Sequence, residues 1–174
     1  MGHHINALIG CREALAPLIS RLGSPDPTEL DFQLLLVPLD EQRLDELAVS
    51  AEEPFAGFTY LTPRLAEALA RANETRRFLY IETEYFGGMG GQGAALFEGG
   101  AMVWRCSEST EASMNQRPWF APAFATPPAS PSKSPISQGL EMIGVIAAAG
   151  RDEFDRLDLV RFRSFRELGI EYHD

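Results

Sequence analysis

The chain has 174 residues, 45% hydrophobic and 23% charged, enough for one globular domain with its own core. Its net charge of −10 arises mostly in the first hundred residues, where 15 acidic side chains face 7 arginines, so nucleic acid and anionic membrane surfaces are not expected partners. No apolar run approaches the ~20 residues that span a bilayer, the MGHHINALIG start lacks a basic leader, and Cys11 and Cys106 have no metal-binding spacing, all of which fits a cytoplasmic protein with reduced thiols.

Ile5, Ala7 and Ile9 alternate with polar or smaller neighbours and predict a short first strand ended by Gly10. A helix over about Arg12 to Leu22 follows, with Leu15, Leu18, Ile19 and Leu22 on one face; Pro17 is expected only in a first turn, which limits where that helix can start. Phe32 to Val37 reads as a buried strand stopped by Pro38. Asp40 can cap a helix to about Ala48, and Thr62 before Pro63 opens another to about Asn73, because threonine oxygen accepts from free amides and proline fits the first helical position.

Phe78 to Tyr85 has the period of a strand, and Ala94 to Phe97 with Ala101 to Cys106 predicts a hairpin turned by Glu98-Gly99-Gly100. Met114 to Pro135 holds six of the twelve prolines and predicts a long loop, pinned at its start by Trp119, Phe120 and Phe124 and offering almost nothing to dock from Pro127 to Pro135. Ile136, Leu140, Ile143 and Ile146 keep helical spacing up to Gly150, and a second short helix begins near Asp152. The expected fold is a single α+β domain: a mixed sheet of about five strands, helices chiefly on one face, and a late β-hairpin. A doubly wound parallel sheet is the alternative.

The most unusual stretch is Phe78 to Gly100, FLYIETEYFGGMGGQGAALFEGG, where seven glycines lie between strand-like runs. Gly88 to Gly93 matches GxGxxG, but a dinucleotide turn must open a helix, and AALFEGGAMVW reads as strand, turn and strand. A kinase-type phosphate loop needs a lysine on a nearby strand, whereas the single lysine, Lys133, lies in the proline-rich segment. These glycines are therefore read as supplying positive φ, a bulge or close backbone packing.

Glu82 and Glu84 fall on one face of the strand, a spacing that suits a divalent cation or an acid and base pair; at a sheet edge the same pattern would be a solvated face. Beside aromatic side chains the glycines form a surface that can accept a ligand or a partner's backbone, so the expected binding residues are Glu82, Glu84, Tyr85, Phe86, Gly87, Gly88, Gly90, Gly91 and Gln92. His3 and His4 face opposite sides of the first strand, so at most one joins this site, and only if that strand neighbours Phe78 to Tyr85. No GxSxG, HExxH or EF-hand pattern occurs.

The leading expectation is a non-catalytic module that binds a protein partner or a small ligand, with no cofactor and no metal. The alternative is a small metal-assisted enzyme in which Glu82 or Glu84 is ligand or general base and His3 or His4 adds an imidazole, with Glu82, Glu84 and His4 as catalytic candidates.

Three segments, GHHINALI, YIETEYFGGMGGQGAALFEGG and PISQGLEMIGV followed by DEFDRLDL, resemble those of an uncharacterised family of bacterial proteins, over most of the chain except Pro118 to Pro135. The resemblance implies a bacterial, cytoplasmic protein and carries over no functional residue. Small acidic α+β proteins of this size also occur among bacterial toxin-neutralising immunity proteins, an analogy of size and charge alone.

Overall fold

Strand β1 (His3–Cys11) is buried without a break from Ile5 to Gly10, so both of its faces must be covered. The computed structural model describes residues 3–23, 27–48, 52–86, 89–109 and 133–170. Around β1 a six-stranded sheet assembles from β2 (Thr28–Glu29), β3 (Leu34–Pro38), β4 (Phe78–Phe86), β5 (Met89–Glu98) and β6 (Ala101–Ser109), in the order β2-β3-β1-β4-β5-β6. The α+β class holds, with six strands for the expected five or so, but every pairing is antiparallel, which corrects the expected mixed directions. The reason is positional: β3 and β4 run the same way, but β1 lies between them, so like-directed strands never meet.

One face carries α1 (Arg12–Leu22), α2 (Glu41–Ala48) and α3 (Pro63–Ala72). Their apolar stripes close on Leu8, Leu35, Val37, Phe78, Tyr80 and Phe97, with the rings of Phe78 and Phe97 stacked at 5.1 Å. Both predicted caps are in place, Thr62 Oγ1 accepting from Leu65 N at 3.1 Å and Asp40 Oδ1 from Arg43 N at 3.0 Å. Pro17 lies inside α1 rather than in its first turn. An interior proline costs about 3 kcal/mol, and burial of Ala14, Leu15, Leu18 and Leu22 on the same helix offsets it.

The opposite face is also covered, by α4 (Pro135–Met142), α5 (Glu153–Arg156) and two 3₁₀ turns at Leu159–Arg161 and Phe165–Leu168. They pack on Ile5, Ala7, Ile9, Leu79, Ile81, Ala94 and Leu96. Helices therefore cover both faces instead of chiefly one. This second layer was hard to read because short turns, not a long periodic helix, supply much of it.

Gly144, not Gly150, stops α4: Val145 N donates to Leu140 O at 3.0 Å and Gly144 N to Glu141 O at 3.0 Å, a Schellman ending with Gly144 at φ +95°. Ile146 is left outside the helix and exposed. The predicted hairpin joins β5 to β6 through Gly99 and Gly100, both at positive φ, as a two-residue turn of matching twist requires. Most of the proline-rich segment, with Trp119, Phe120 and Phe124, lies outside the described residues. Its end is anchored rather than undocked: Lys133 Nζ bridges Glu141 and Glu153 at 2.9 and 2.8 Å, Ser134 caps α4, and Pro135 is buried.

Candidate functional site

Beyond Tyr80 the face of β4 that lies under α1 to α3 turns polar. Directly paired residues of neighbouring strands share a face. The pairs His4–Glu84 and Asn6–Glu82 across β1, and Glu84–Gly91 and Glu82–Gly93 across β5, therefore collect on this one face. The condition set for a histidine to approach the glutamates, that β1 neighbour β4, is met. β4 is an interior strand and Glu82 is 5% exposed, so the solvated-edge reading fails for it. Glu84 is exposed.

Burial of a carboxylate demands donors, and the segment from Phe55 to Leu61 supplies them. Glu82 Oε1 accepts from Thr59 N at 2.5 Å, while Oε2 accepts from Tyr60 N at 3.2 Å and from the Tyr80 hydroxyl at 2.7 Å. Burial raises the Glu82 pKa above the ordinary carboxyl value, and the donors from Thr59, Tyr80, Tyr60 and Leu61 oppose that rise. Tyr80, fully buried beside this carboxylate, is pushed well above the usual phenol range, first by burial and then by the Glu82 charge.

The same segment rests its Phe58 ring on Gly93, where an added Cβ would lie 2.5 Å from ring carbon Cε1. Gly93 is thus a seat for an aromatic ring. Close packing, one of the readings given for the glycines, is what this position requires. The segment that clamps Glu82 has no motif in the amino-acid sequence, where it is only a glycine amid aromatics.

Between this segment and the paired ends of β4 and β5 lies a cleft of about 580 Å³. Glu82, Glu84, Phe86, Gly90, Gly91 and Gln92 all line it, so six of the residues singled out from sequence come together. Gly87 and Gly88 lie outside the described residues. Tyr85 faces the other side, where its hydroxyl accepts from Gln92 Nε2 at 3.3 Å. Alternation along β4 places it out of phase with Glu84, a signal present in the sequence itself.

Two features of the cleft were not anticipated. Asn6 is 2% exposed, lines the cleft, and its Oδ1 has no hydrogen-bond partner among the described residues. Phe86, at the rim, is 85% exposed, with Met89 beside it also exposed.

The two histidines part company as strand geometry requires. His4 packs edge-on against Tyr60 and Phe165, with ring centroids 6.1 and 5.8 Å away. His3 lies on the opposite face: Thr83 Oγ1 is 2.6 Å from its Nδ1, and its Nε2 is 3.4 Å from the Leu159 carbonyl oxygen. Burial lowers the His3 pKa, so the neutral ring donates from Nε2 to that carbonyl and accepts the Thr83 hydroxyl at Nδ1. The proposed metal set of Glu82, Glu84, His3 and His4 therefore does not converge. Among the described residues no group of three or more His, Cys, Asp or Glu side chains is placed to hold a metal ion.

A larger hollow of about 730 Å³ lies between α1, α2 and α3. Of its charged side chains Arg71 pairs with Glu67 and Arg21 donates to the carbonyls of Glu46 and Leu47, and no buried polar residue lines it. The smaller cleft is the better site.

Cys11 and Cys106 are both free thiols. No helix among the described residues is long and apolar enough to cross a membrane. No family model, curated protein or solved structure matches the chain.

Proposed function

We propose that the protein is a non-catalytic binding module whose site is the cleft between the Phe55 to Leu61 segment and the β4–β5 hairpin. The observation that carries this reading is the joining of an exposed aromatic rim to a concave polar floor containing a buried acceptor without a partner, in a volume typical of ligand pockets. Glu82 supports binding by fixing one wall, since both of its oxygens are occupied by donors from that wall. A cytoplasmic location, away from nucleic acid, is favoured by the acidic charge and the two free thiols.

Backbone NMR of labelled protein against a set of small polar fragments tests this reading. Shifts should concentrate at the amides of Asn6, Thr59 and Gly91. Shifts concentrated elsewhere, in the hollow among α1 to α3 for example, would overturn the choice of site.

A second reading, an enzyme using Glu84 and His4, draws on the register that places these two opposite each other. Zinc titration followed at both residues decides its metal-assisted form: saturable binding abolished by Glu84→Gln would favour it over a binding module.

A further inference from the structure

Every charged side chain lining the cleft is acidic. Glu82 and Glu84 contribute carboxylates, and none of the described lining residues is lysine, arginine or histidine. Of the Glu84 carboxylate only Oε2 is engaged, accepting from the Thr59 hydroxyl at 3.2 Å; Oε1 has no partner among the described residues. The Asn6 Oδ1, across the strand pair from Glu82, is a second open acceptor, and it is buried. An unpartnered buried acceptor is costly unless something donates to it. The Gln92 side chain, paired with Thr83 on the other face of the sheet, donates to Tyr85 and Glu108 and so supplies the cleft no donor. Among its described lining residues the cleft therefore presents acceptors in excess and no cationic side chain.

Its rim adds a second constraint. Phe86 and Met89 are exposed at the mouth, on paired positions of the hairpin. A flat aromatic face beside carboxylates suits a planar cation that can stack while donating several hydrogen bonds from its edge. An ammonium is a compact, strongly hydrated point charge and uses such a face less well. Guanidinium carries five donors and matches a spread of acceptors.

We infer that this cleft recognises a guanidinium group, that of an arginine in a partner polypeptide or of a free guanidine compound, with Glu84 and Asn6 as acceptors and Phe86 as the stacking face. The inference rests on the reading of the cleft as the binding site. The net charge of −10 would also draw such cationic partners toward the protein at low ionic strength.

The test uses the full chain and four probes: arginine methyl ester, its neutral isostere citrulline methyl ester, lysine methyl ester, and a capped Gly-Arg-Gly peptide. Binding is followed by NMR shifts at Asn6, Thr59 and Gly91. The arginine probes should bind at least about tenfold more tightly than citrulline, the loss expected when a charge-assisted hydrogen bond is removed. Glu84→Gln and Phe86→Ala, both at exposed positions, should each weaken the arginine probes while leaving the thermal unfolding midpoint in place. Tighter binding of the peptide than of the ester assigns the source to a polypeptide, and the reverse to a small molecule.

Equal binding of citrulline and arginine at the cleft would overturn the guanidinium inference and leave the binding-module reading standing. A lysine ester that binds as well as the arginine ester would also overturn it, because the planar fork would not be what is read. If no probe moves the cleft amides but the fragment set does, this inference fails alone. If neither does, both fail.

Discussion

The two faces of the sheet at the end of β4 handle buried polar groups in opposite ways. On the face under α4 and α5 the hydrogen bonds form a closed chain: Ile5 N donates to Thr83 Oγ1 at 3.3 Å, the Thr83 hydroxyl to His3 Nδ1, and His3 Nε2 to the Leu159 carbonyl. Nothing on that path is left open. On the face under α1 to α3, Glu82 is satisfied by its clamp, but Asn6 Oδ1 beside it is not, and the surface beyond stays concave. Consecutive residues of one strand, Glu82 and Thr83, thus belong to a cluster that borders the cleft and to a hydrogen-bonded chain on the other face. Open polar atoms are not confined to the cleft, since Ser137 Oγ and Glu153 Oε2 in the layer over the other face are also buried without a partner among the described residues; what singles out Asn6 Oδ1 is that its residue lines a concave surface.

The sharpest way to break this comparison is to remove each anchor. Glu82→Ala leaves two backbone N–H groups and the Tyr80 hydroxyl without their acceptor, so a loss on the order of 3 kcal/mol is expected, with faster amide exchange at Thr59 and Tyr60. Thr83→Val removes the hydroxyl that accepts from Ile5 N and donates to His3 Nδ1 while keeping the side-chain shape, and should cost about 1–2 kcal/mol. Urea unfolding of the pair reads both, and a larger loss from Thr83→Val would reverse the comparison.

Packing offers the next contrast. Gly93→Ala drives a methyl group into the Phe58 ring and should cost roughly 1–3 kcal/mol, as overpacking of a fitted site does. On the other face Gly139→Ala meets the end of the flexible Leu79 side chain at 2.6 Å, and alanine gains about 1 kcal/mol of helix propensity over glycine. Its net effect should therefore be smaller. Equal losses by thermal unfolding would show that the Phe58 segment yields as easily as a leucine methyl group.

The pH dependence of stability should carry opposite signs from the two faces. The Glu82 pKa is raised above the ordinary 4.5, so its contribution is full below that value and is lost as pH rises through the folded-state pKa. The His3 pKa is lowered below 6.5, so its contribution is absent below the folded-state value and is gained as pH rises toward 6.5. Unfolding free energies measured against pH for Glu82→Gln and His3→Gln should lose these two slopes separately. A common slope change in both variants would mean the groups titrate as one. The smallest expected effect on stability is that of Glu84→Gln, within about 0.5 kcal/mol for an exposed side chain. A larger loss would make Glu84 part of the clamp instead of the open side of the cleft.

Local chemistry was legible in the sequence. Thr62 and Asp40 cap where their side chains and following residues indicated, a short helix begins beside Asp152, and the Glu98-Gly99-Gly100 turn closes the late hairpin. What depended on neighbours was not. The period of β4 put Glu82 and Glu84 on one face, but only the strand order, with β1 and β5 on either side, and the arrival of the Phe55 to Leu61 segment buried one and left the other exposed. Asn6 escaped notice because an asparagine in an apolar strand has no motif; its importance comes from facing Glu82 across the pair. Likewise, Pro17 is tolerated inside α1 because tertiary packing outweighs local preference, and Gly144 ends α4 early where apolar spacing alone ran on to Ile146.

The bridge from Lys133 to Glu141 and Glu153 has a practical side. As the chain's single lysine, Lys133 is the only side-chain amine that acylating dyes or cross-linkers can address. Hydrogen bonds to Glu153 and Glu141 raise its pKa, so the nucleophilic free-base form is scarcer than on an ordinary surface lysine. Amine-directed labelling will be slow here. Where it succeeds it removes the cation paired with a Glu153 side chain that is 4% exposed, so a conjugate made for binding studies carries a change beneath its dye.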